Sequence, residues 1–162
     1  MTLHQLLGAA SDRVNRVVEW ALLAIGVAFS LILFAQVVAR YMGNSLSWSE
    51  EVGRYLLVAT SFLGATVAYK RAEFIGLAGL GAKFGPQVEH AITRLLQLLT
   101  LACFGLITWF GVGYTLKAWD QTSSAVQMPM SLPISVLPIS AAIFLLHVLV
   151  DLTGPVKSGG TP

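Results

Sequence analysis

Acidic and basic side chains stand close together between Ser47 and Arg54. In a helix, Glu50 and Glu51 would share a face with Arg54, which follows them by four and three residues. Ser47 and Glu50 have the spacing of a capping box, which predicts that a helix starts here, and Trp48 suits the headgroup level of a membrane. The predicted chemistry is an ion pair or a contact with another subunit; ion or substrate handling is the alternative.

Residues suited to catalysis or cofactor binding are scarce. The sequence has no GxSxG, HExxH or CxxC motif, the usual signatures of membrane hydrolases, zinc proteases and thiol oxidoreductases. His147 alone among the three histidines falls within an apolar stretch, whereas haem between helices needs paired axial ligands. We expect His147 to bond to a neighbouring helix or to a carbonyl, and Cys103 to be a small core residue. The sequence therefore predicts no enzyme, no bound cofactor and no metal site.

The composition indicates where these residues lie. Of the 162 residues, 56% are hydrophobic and 11% are charged, and the mean hydropathy is +0.74; a soluble domain carries about 25% charged residues. Four stretches are long and apolar enough to cross a bilayer, and they lack the alternation of barrel strands. They cover residues 20–39, 52–69, 95–116 and 132–152. We predict an all-α integral membrane bundle of four transmembrane helices, with residues 1–162 forming a single membrane domain.

The basic residues predict the orientation of the bundle. Seven lie on the side shared by both termini and the loop 70–94: Arg13, Arg16, Lys70, Arg71, Lys83, Arg94 and Lys157. Three lie on the opposite side: Arg40, Arg54 and Lys117. By the positive-inside rule both termini are cytoplasmic. No run of five like charges occurs, so nucleic acid is not an expected partner.

The segment before the first span has helical periodicity. Apolar residues recur on one face of residues 1–19, at Leu3, Leu6, Leu7, Ala10, Val14, Val17 and Val18. This pattern predicts an amphipathic arm that either lies in the membrane interface or extends the first span.

Further along, Pro86 after Gly85 predicts a helix start. A helix from there to Lys117 would be ~48 Å long, more than the ~30 Å hydrocarbon core.

Small residues line part of the second span. Thr60, Gly64 and Ala68 recur at every fourth position, which favours close helix packing either within the bundle or against another subunit.

The sequence lacks two features of transporters that act alone. No two carboxylates meet at mid-membrane, and no internal repeat is evident. Pro133 and Pro138 predict a break or kink at the start of the last helix.

Taken together, these features resemble the small membrane subunit, the Q subunit, of tripartite ATP-independent periplasmic (TRAP) transporters. The likeness runs over nearly the whole chain, through the amphipathic start before four spans and the proline-bearing start of the last helix. Its motifs are Trp48-Ser49-Glu50-Glu51 with Arg54, Phe62-Leu63-Gly64-Ala65, Tyr69-Lys70-Arg71 and Ile75. Phe74 stands where many relatives have a histidine, so no role of that histidine is carried over.

The resemblance implies a scaffold subunit of a sodium-driven symporter in the cytoplasmic (inner) membrane of a bacterium or archaeon. A large multi-span membrane subunit would hold the solute and the sodium ions, and a periplasmic solute-binding protein would deliver a carboxylate-bearing solute. The small subunit would bind and stabilise the large one within the lipid bilayer. Residues near Trp48–Arg54 and Lys117–Gln127 are candidates for docking the solute-binding protein.

Two other classes remain open at this point. A stand-alone homo-oligomeric transporter or exporter of four-helix protomers would need an embedded carboxylate shared in a dimer, and Glu50 and Glu51 lie near a helix end. A lipid- or quinone-linked membrane enzyme would need chemistry that the sequence does not contain. We therefore expect a transporter subunit whose partner carries the solute site.

Overall fold

The computed structural model describes residues 3–71 and 86–153, and within these ranges the chain is a bundle of helices. The helices are α1 (Leu3–Tyr41), α2 (Ser47–Lys70), α3 (Pro86–Lys117), α4 (Ser131–Ile134) and α5 (Val136–Thr153). Within these described ranges, four helical stretches are long and apolar enough to cross a membrane. The predicted all-α membrane bundle is thus confirmed. Residues 72–85, which include most of the loop 70–94, Phe74 and Ile75, lie outside the described residues.

Helix α1 is longer than a single membrane crossing. It is continuous over 39 residues, or ~58 Å. The predicted arm therefore extends the first span as one helix. Of its predicted apolar face, Val18 is buried, whereas Leu6 and Val17 are exposed. Ser11 is fully buried instead, so a polar residue of the arm faces the bundle.

The last span is broken near its start, as its prolines predict. The short helix α4 ends at Ile134, Ser135 follows, and α5 begins at Val136. Pro138 has no N–H to donate to the carbonyl of Ile134, which interrupts the helical ladder at this point. The ladder resumes where Ile139 N donates to Ser135 O at 3.1 Å.

Helix α5 is the central element of the bundle. It packs against α1, α2 and α3, and most extensively against α3, whereas α1 packs mainly on α2. Phe144 of α5 stacks on Phe104 of α3 at 4.0 Å and lies 4.7 Å from the ring of Tyr69 of α2. Ala141 and Val148 are buried beside it. α5 therefore joins α3 to the pair formed by α1 and α2.

A glycine allows the close approach of α3 to α5. A Cβ atom on Gly111 would lie 3.2 Å from Cβ of Pro138. By contrast, Cys103 on the same helix is exposed, so the prediction that it is a core residue was wrong. In a membrane protein the lipid-facing side of a helix is as apolar as its packed side, and an apolar run does not reveal which residues are buried.

The two ends of the bundle carry most of its polar contacts. We call the end with residues 42–46 and 121–130 the loop end. The opposite end, with residues 3–19, 70–71 and 151–153, is the terminus end. Their orientation in the membrane, with both termini cytoplasmic, stays a prediction.

Candidate functional site

Glu51 lies at the loop end and connects α2 to the loop 121–130. Its side chain is 7% exposed. Its Oε1 accepts a hydrogen bond from Tyr55 Oη at 2.5 Å, and its Oε2 accepts from the backbone N–H groups of Ala125 and Val126 at 2.8 and 3.1 Å. One carboxylate thus holds two consecutive amides of a distant loop.

The loop 121–130 has a defined shape of its own. Met130 N donates to Gln121 O at 2.8 Å, and Ser123 N donates to Met128 O at 2.9 Å. Gln127 adopts a left-handed conformation, with φ of 57°. The loop is therefore a folded turn that Glu51 fastens to the helix, and it presents a fixed surface at the loop end.

The other residues of the predicted cluster point outward. Trp48, Glu50 and Arg54 are all exposed. Arg54 Nε donates to the backbone carbonyl of Glu50 at 3.4 Å, and the Glu50 carboxylate accepts from Gln36 Nε2 at 3.5 Å. The salt bridges among the described residues are Lys70–Asp12 and Arg71–Glu19, so Arg54 pairs there with neither Glu50 nor Glu51. The alternative, a contact with another subunit, stays a prediction.

The predicted capping box is also absent. The helix begins at Ser47 itself, which places Leu46 at the cap position, and no side chain makes a capping hydrogen bond. Ser49, fully buried, donates from Oγ to Leu46 O at 2.7 Å. The prediction of a capping box between Ser47 and Glu50 was wrong because it placed the helix start one residue too late.

The small-residue stripe of α2 is at least partly exposed in the described chain. Thr60 is exposed, and Gly64 and Ala68 are partly exposed. A Cβ atom on Gly64 would meet no atom within 4 Å. The stripe is therefore open at Gly64, and its predicted role in packing, within the bundle or against another subunit, remains a prediction.

Hydroxyl groups within the spans are engaged by their own helices. The side chains that donate to a carbonyl three or four residues earlier include Ser30, Thr60, Ser61, Thr66, Thr100, Thr108, Thr115, Ser135 and Ser140. Between α2, α3 and α5 lies a crevice of about 230 Å³ with an almost wholly apolar lining that includes Phe62, Phe104 and Phe144. The described residues contain no group of three or more His, Cys, Asp or Glu that could hold a metal ion.

A second polar cluster joins three helices at the terminus end. Lys70 Nζ of α2 lies 2.9 Å from Asp12 Oδ1 and donates to Ser11 Oγ at 2.5 Å, both on α1. Ser11 Oγ lies 2.8 Å from Nδ1 of His147 on α5. The expectation that His147 bonds to a neighbouring helix is confirmed. The roles of Ser11 and Lys70 were missed, and the available signal was that Ser11 shares a helix face with Val18.

Two further contacts complete this end of the bundle. Arg71 Nη2 pairs with Glu19 Oε1 at 2.9 Å, and Asn15 Nδ2 donates to the same oxygen at 2.8 Å. Arg94 Nη1 donates to Leu152 O at 3.0 Å, at the carboxyl end of α5. The contact of Arg71 with Glu19 joins the end of α2 to α1, and the contact of Arg94 with Leu152 joins α3 to the end of α5.

The pairing of Ser11 with His147 has the elements of a nucleophile and its base. A catalytic serine must be reachable by a substrate. Ser11 has no exposed surface and His147 is 1% exposed, so both are enclosed by the bundle. The geometry supports a contact between helices here.

Comparison with known proteins identifies the family. A family model described as "Tripartite ATP-independent periplasmic transporters, DctQ component" matches residues 29–158. A putative TRAP transporter small permease protein of Haemophilus influenzae is 30% identical over 95 residues, which cover 58% of this chain and 59% of that protein. This relative is therefore longer than the region that matches.

Two other relatives are much longer proteins. The sialic acid TRAP transporter permease protein SiaT of Haemophilus influenzae is 30% identical over 100 residues, which cover 61% of this chain and 16% of that protein. The isethionate TRAP transporter permease protein DctMQ of Oleidesulfovibrio alaskensis is 26% identical over 143 residues, which cover 83% of this chain and 22% of that protein. With the family model matching most of its length, this chain belongs to the DctQ component family of tripartite ATP-independent periplasmic transporters, a family of transporter subunits.

Proposed function

We propose that this chain is the small scaffold subunit of a TRAP transporter and that it binds and stabilises a large membrane subunit that carries the solute site. The observation that carries this proposal is that the chain buries little of its own membrane-facing surface. In the most apolar 18-residue window of α1, no residue is buried inside the chain. The exposed side chains of this helix include Trp20, Leu23, Val27, Leu31 and Phe34.

Lipid can cover an apolar face, but two observations favour a protein partner. The small residues of α2 leave an open face at Gly64, and such faces allow a second helix to approach closely. The region that matches this chain makes up 16% of SiaT and 22% of DctMQ, both named as permease proteins. In those relatives the matching region is thus covalently joined to a much larger part.

The same proposal assigns solute handling to the partner. The hydroxyl groups of the spans bond to their own helices, and the crevice between α2, α3 and α5 is apolar. Solute and ion sites of secondary transporters need polar ligands near the bilayer midplane. We propose that sodium coupling and recognition of a carboxylate-bearing solute reside on the large subunit, and that this chain is not an enzyme.

The orientation and location belong to the proposal as well. Seven of the ten basic residues fall on the side of the termini, which supports cytoplasmic termini in the inner membrane of a bacterium. The loop end would then face the periplasm. Trp48, Glu50 and Arg54 are exposed there, beside the loop that Glu51 holds. This fixed polar surface suits docking of a periplasmic solute-binding protein.

Photo-crosslinking in native membranes tests the partner directly. A photoreactive amino acid is placed at Phe34 on the exposed face of α1 or at Thr60 on the open stripe of α2; the same residue at the buried position Val148 is the control. We expect an adduct with a larger membrane protein from Phe34 or Thr60 and none from Val148. Adducts at twice the 17.3 kDa mass of this chain, without a larger species, would favour the alternative of a stand-alone homo-oligomeric transporter.

A further inference from the structure

The terminus-end half of α1 is held on the bundle by polar contacts. Within residues 5–18, Val18 is the buried apolar side chain, whereas Leu6 is 51% and Val17 is 68% exposed. Ser11, in contrast, has no exposed surface and touches both Lys70 and His147. The position of this half-helix therefore depends on hydrogen bonds and charge more than on apolar burial.

The hydrogen bonds of this junction define one protonation state. The ammonium of Lys70 has donors and no acceptor, so Ser11 Oγ accepts its hydrogen bond at 2.5 Å. Among the described residues, His147 Nδ1, 2.8 Å away, is the acceptor within reach of the Ser11 hydroxyl proton, and it can accept that proton only when Nδ1 itself carries none. The imidazole is thus neutral with its proton on Nε2, an atom that is buried without a hydrogen-bond partner.

A second proton on His147 would turn Nδ1 from an acceptor into a donor. The second lone pair of Ser11 Oγ could accept its hydrogen bond, but the Ser11 hydroxyl proton would then lose its acceptor, and the imidazolium would add a positive charge beside the Lys70 ammonium. The charged groups facing the ring are Asp12 on α1, Lys70 on α2 and Asp151 on α5. Asp12 already pairs with Lys70, and Asp151 bonds to Tyr69 of α2. Both carboxylates are therefore engaged before the second proton arrives.

We propose that the junction of Ser11, Lys70 and His147 is a pH-sensitive latch. Neutral His147 holds residues 3–18 of α1 against α5. Protonation of its Nδ1 disrupts the bond to Ser11 and releases this half-helix from α5, while Lys70 of α2 stays paired with Asp12. The latch is a property of this chain and stands independently of which solute the transporter carries.

Distance measurements between two spin labels test the latch. The full chain is placed in lipid nanodiscs with any co-purifying partner retained, and Cys103→Ser removes the native thiol. Labels are attached through Leu6→Cys on α1 and Leu95→Cys on α3, both exposed positions. We expect one narrow distance distribution at about pH 8 and a second, broader population at about pH 5, within the range where histidine titrates. An unchanged distribution over this range would overturn the proposal.

Two variants identify the group that titrates. His147→Gln keeps an acceptor for Ser11 but takes up no proton, so we expect the narrow distribution at both pH values. His90→Gln is the matched control and should keep the pH response. A His147→Gln protein that still responds as the unmodified chain does would contradict the latch.

A third variant decides the question if His147→Gln fails to fold. Ser11→Ala removes the bridging hydroxyl, and we expect the broad population at both pH values. Ser30→Ala, on the same helix, removes a hydroxyl that bonds only to Gly26 O in its own helix and should leave the response intact. A Ser11→Ala protein that keeps the pH-dependent narrow distribution would overturn the proposal.

Discussion

Glu50 and Glu51 are neighbours in sequence and have different roles. Successive residues of a helix point about 100° apart, so one carboxylate faces the loop 121–130 and the other faces outward. Glu51 bonds to Tyr55 and to two loop amides, whereas Glu50 accepts from Gln36. The sequence shows that both acids stand near a helix start. Their division of roles depends on Ala125 and Val126, more than seventy residues away, and no local pattern indicates that contact.

Replacing Glu51 with Gln should loosen the loop. The amide that replaces one carboxylate oxygen is a donor, so it opposes the N–H groups of Ala125 and Val126 or the hydroxyl of Tyr55. We expect proteolysis within the loop 121–130 to accelerate on the order of tenfold, the factor that corresponds to one hydrogen bond to a charged group. Glu50→Gln, the same change on the exposed neighbour, should leave the cleavage rate unchanged; equal rates in the two variants would contradict the role of Glu51.

Replacing Ser11 with Ala should destabilise the bundle at its other end. The change leaves His147 Nδ1 and Lys70 without a shared partner in a buried junction, at a cost of about 1–3 kcal/mol. We expect a lower melting temperature in nanodiscs than for Ser30→Ala, whose hydroxyl bonds within its own helix. If the two variants melt together, the junction does not contribute to stability.

At the scale of elements, composition was sufficient to predict the four apolar helical stretches that the described residues contain. An apolar stretch in a bilayer has no alternative to the helix, and Pro133 and Pro138 marked the break between α4 and α5 correctly. The burial of each face was less predictable. Cys103 is exposed, and the arm turns the face with Ser11 toward the bundle. The sequence did not indicate either result, because the lipid-facing and packed sides of a membrane helix are equally apolar.

The contact between α3 and α5 depends on the absence of a side chain at Gly111. A Cβ there would lie 3.2 Å from Pro138, and Gly111→Val would force the two helices apart. We expect a loss of stability of about 1–3 kcal/mol, seen as a lower melting temperature in nanodiscs. Gly105→Val on the same helix is the control, because a Cβ atom on Gly105 would meet no atom within 4 Å. A similar loss from both substitutions would mean that the contact with Pro138 is not responsible.

The open stripe on α2 gives a test that separates folding from assembly. Gly64→Leu places a large side chain where the chain itself has no neighbour within 4 Å. We expect the chain alone to melt as before, while the amount of a co-purifying partner falls several-fold. Gly105→Leu makes the same change in open space on α3. Full partner recovery with Gly64→Leu would remove this stripe from the interface.

The whole molecule is a bundle with much of its membrane surface uncovered. Helix α1 is ~58 Å long against a hydrocarbon core of ~30 Å, and its most apolar window has no residue buried inside the chain. Polar contacts gather at the loop end and at the terminus end, and the region between them is apolar. Such a molecule suits a scaffold that completes its packing on another protein.

The central claim is that this chain works as a subunit bound to a larger membrane protein. The most direct test is to extract the tagged chain from its native membrane in mild detergent and to identify by mass spectrometry what co-purifies. The account predicts a much larger multi-span protein in nearly equal amount. Recovery of the chain alone, as a defined homo-oligomer, would contradict the account and would favour a transporter that acts by itself.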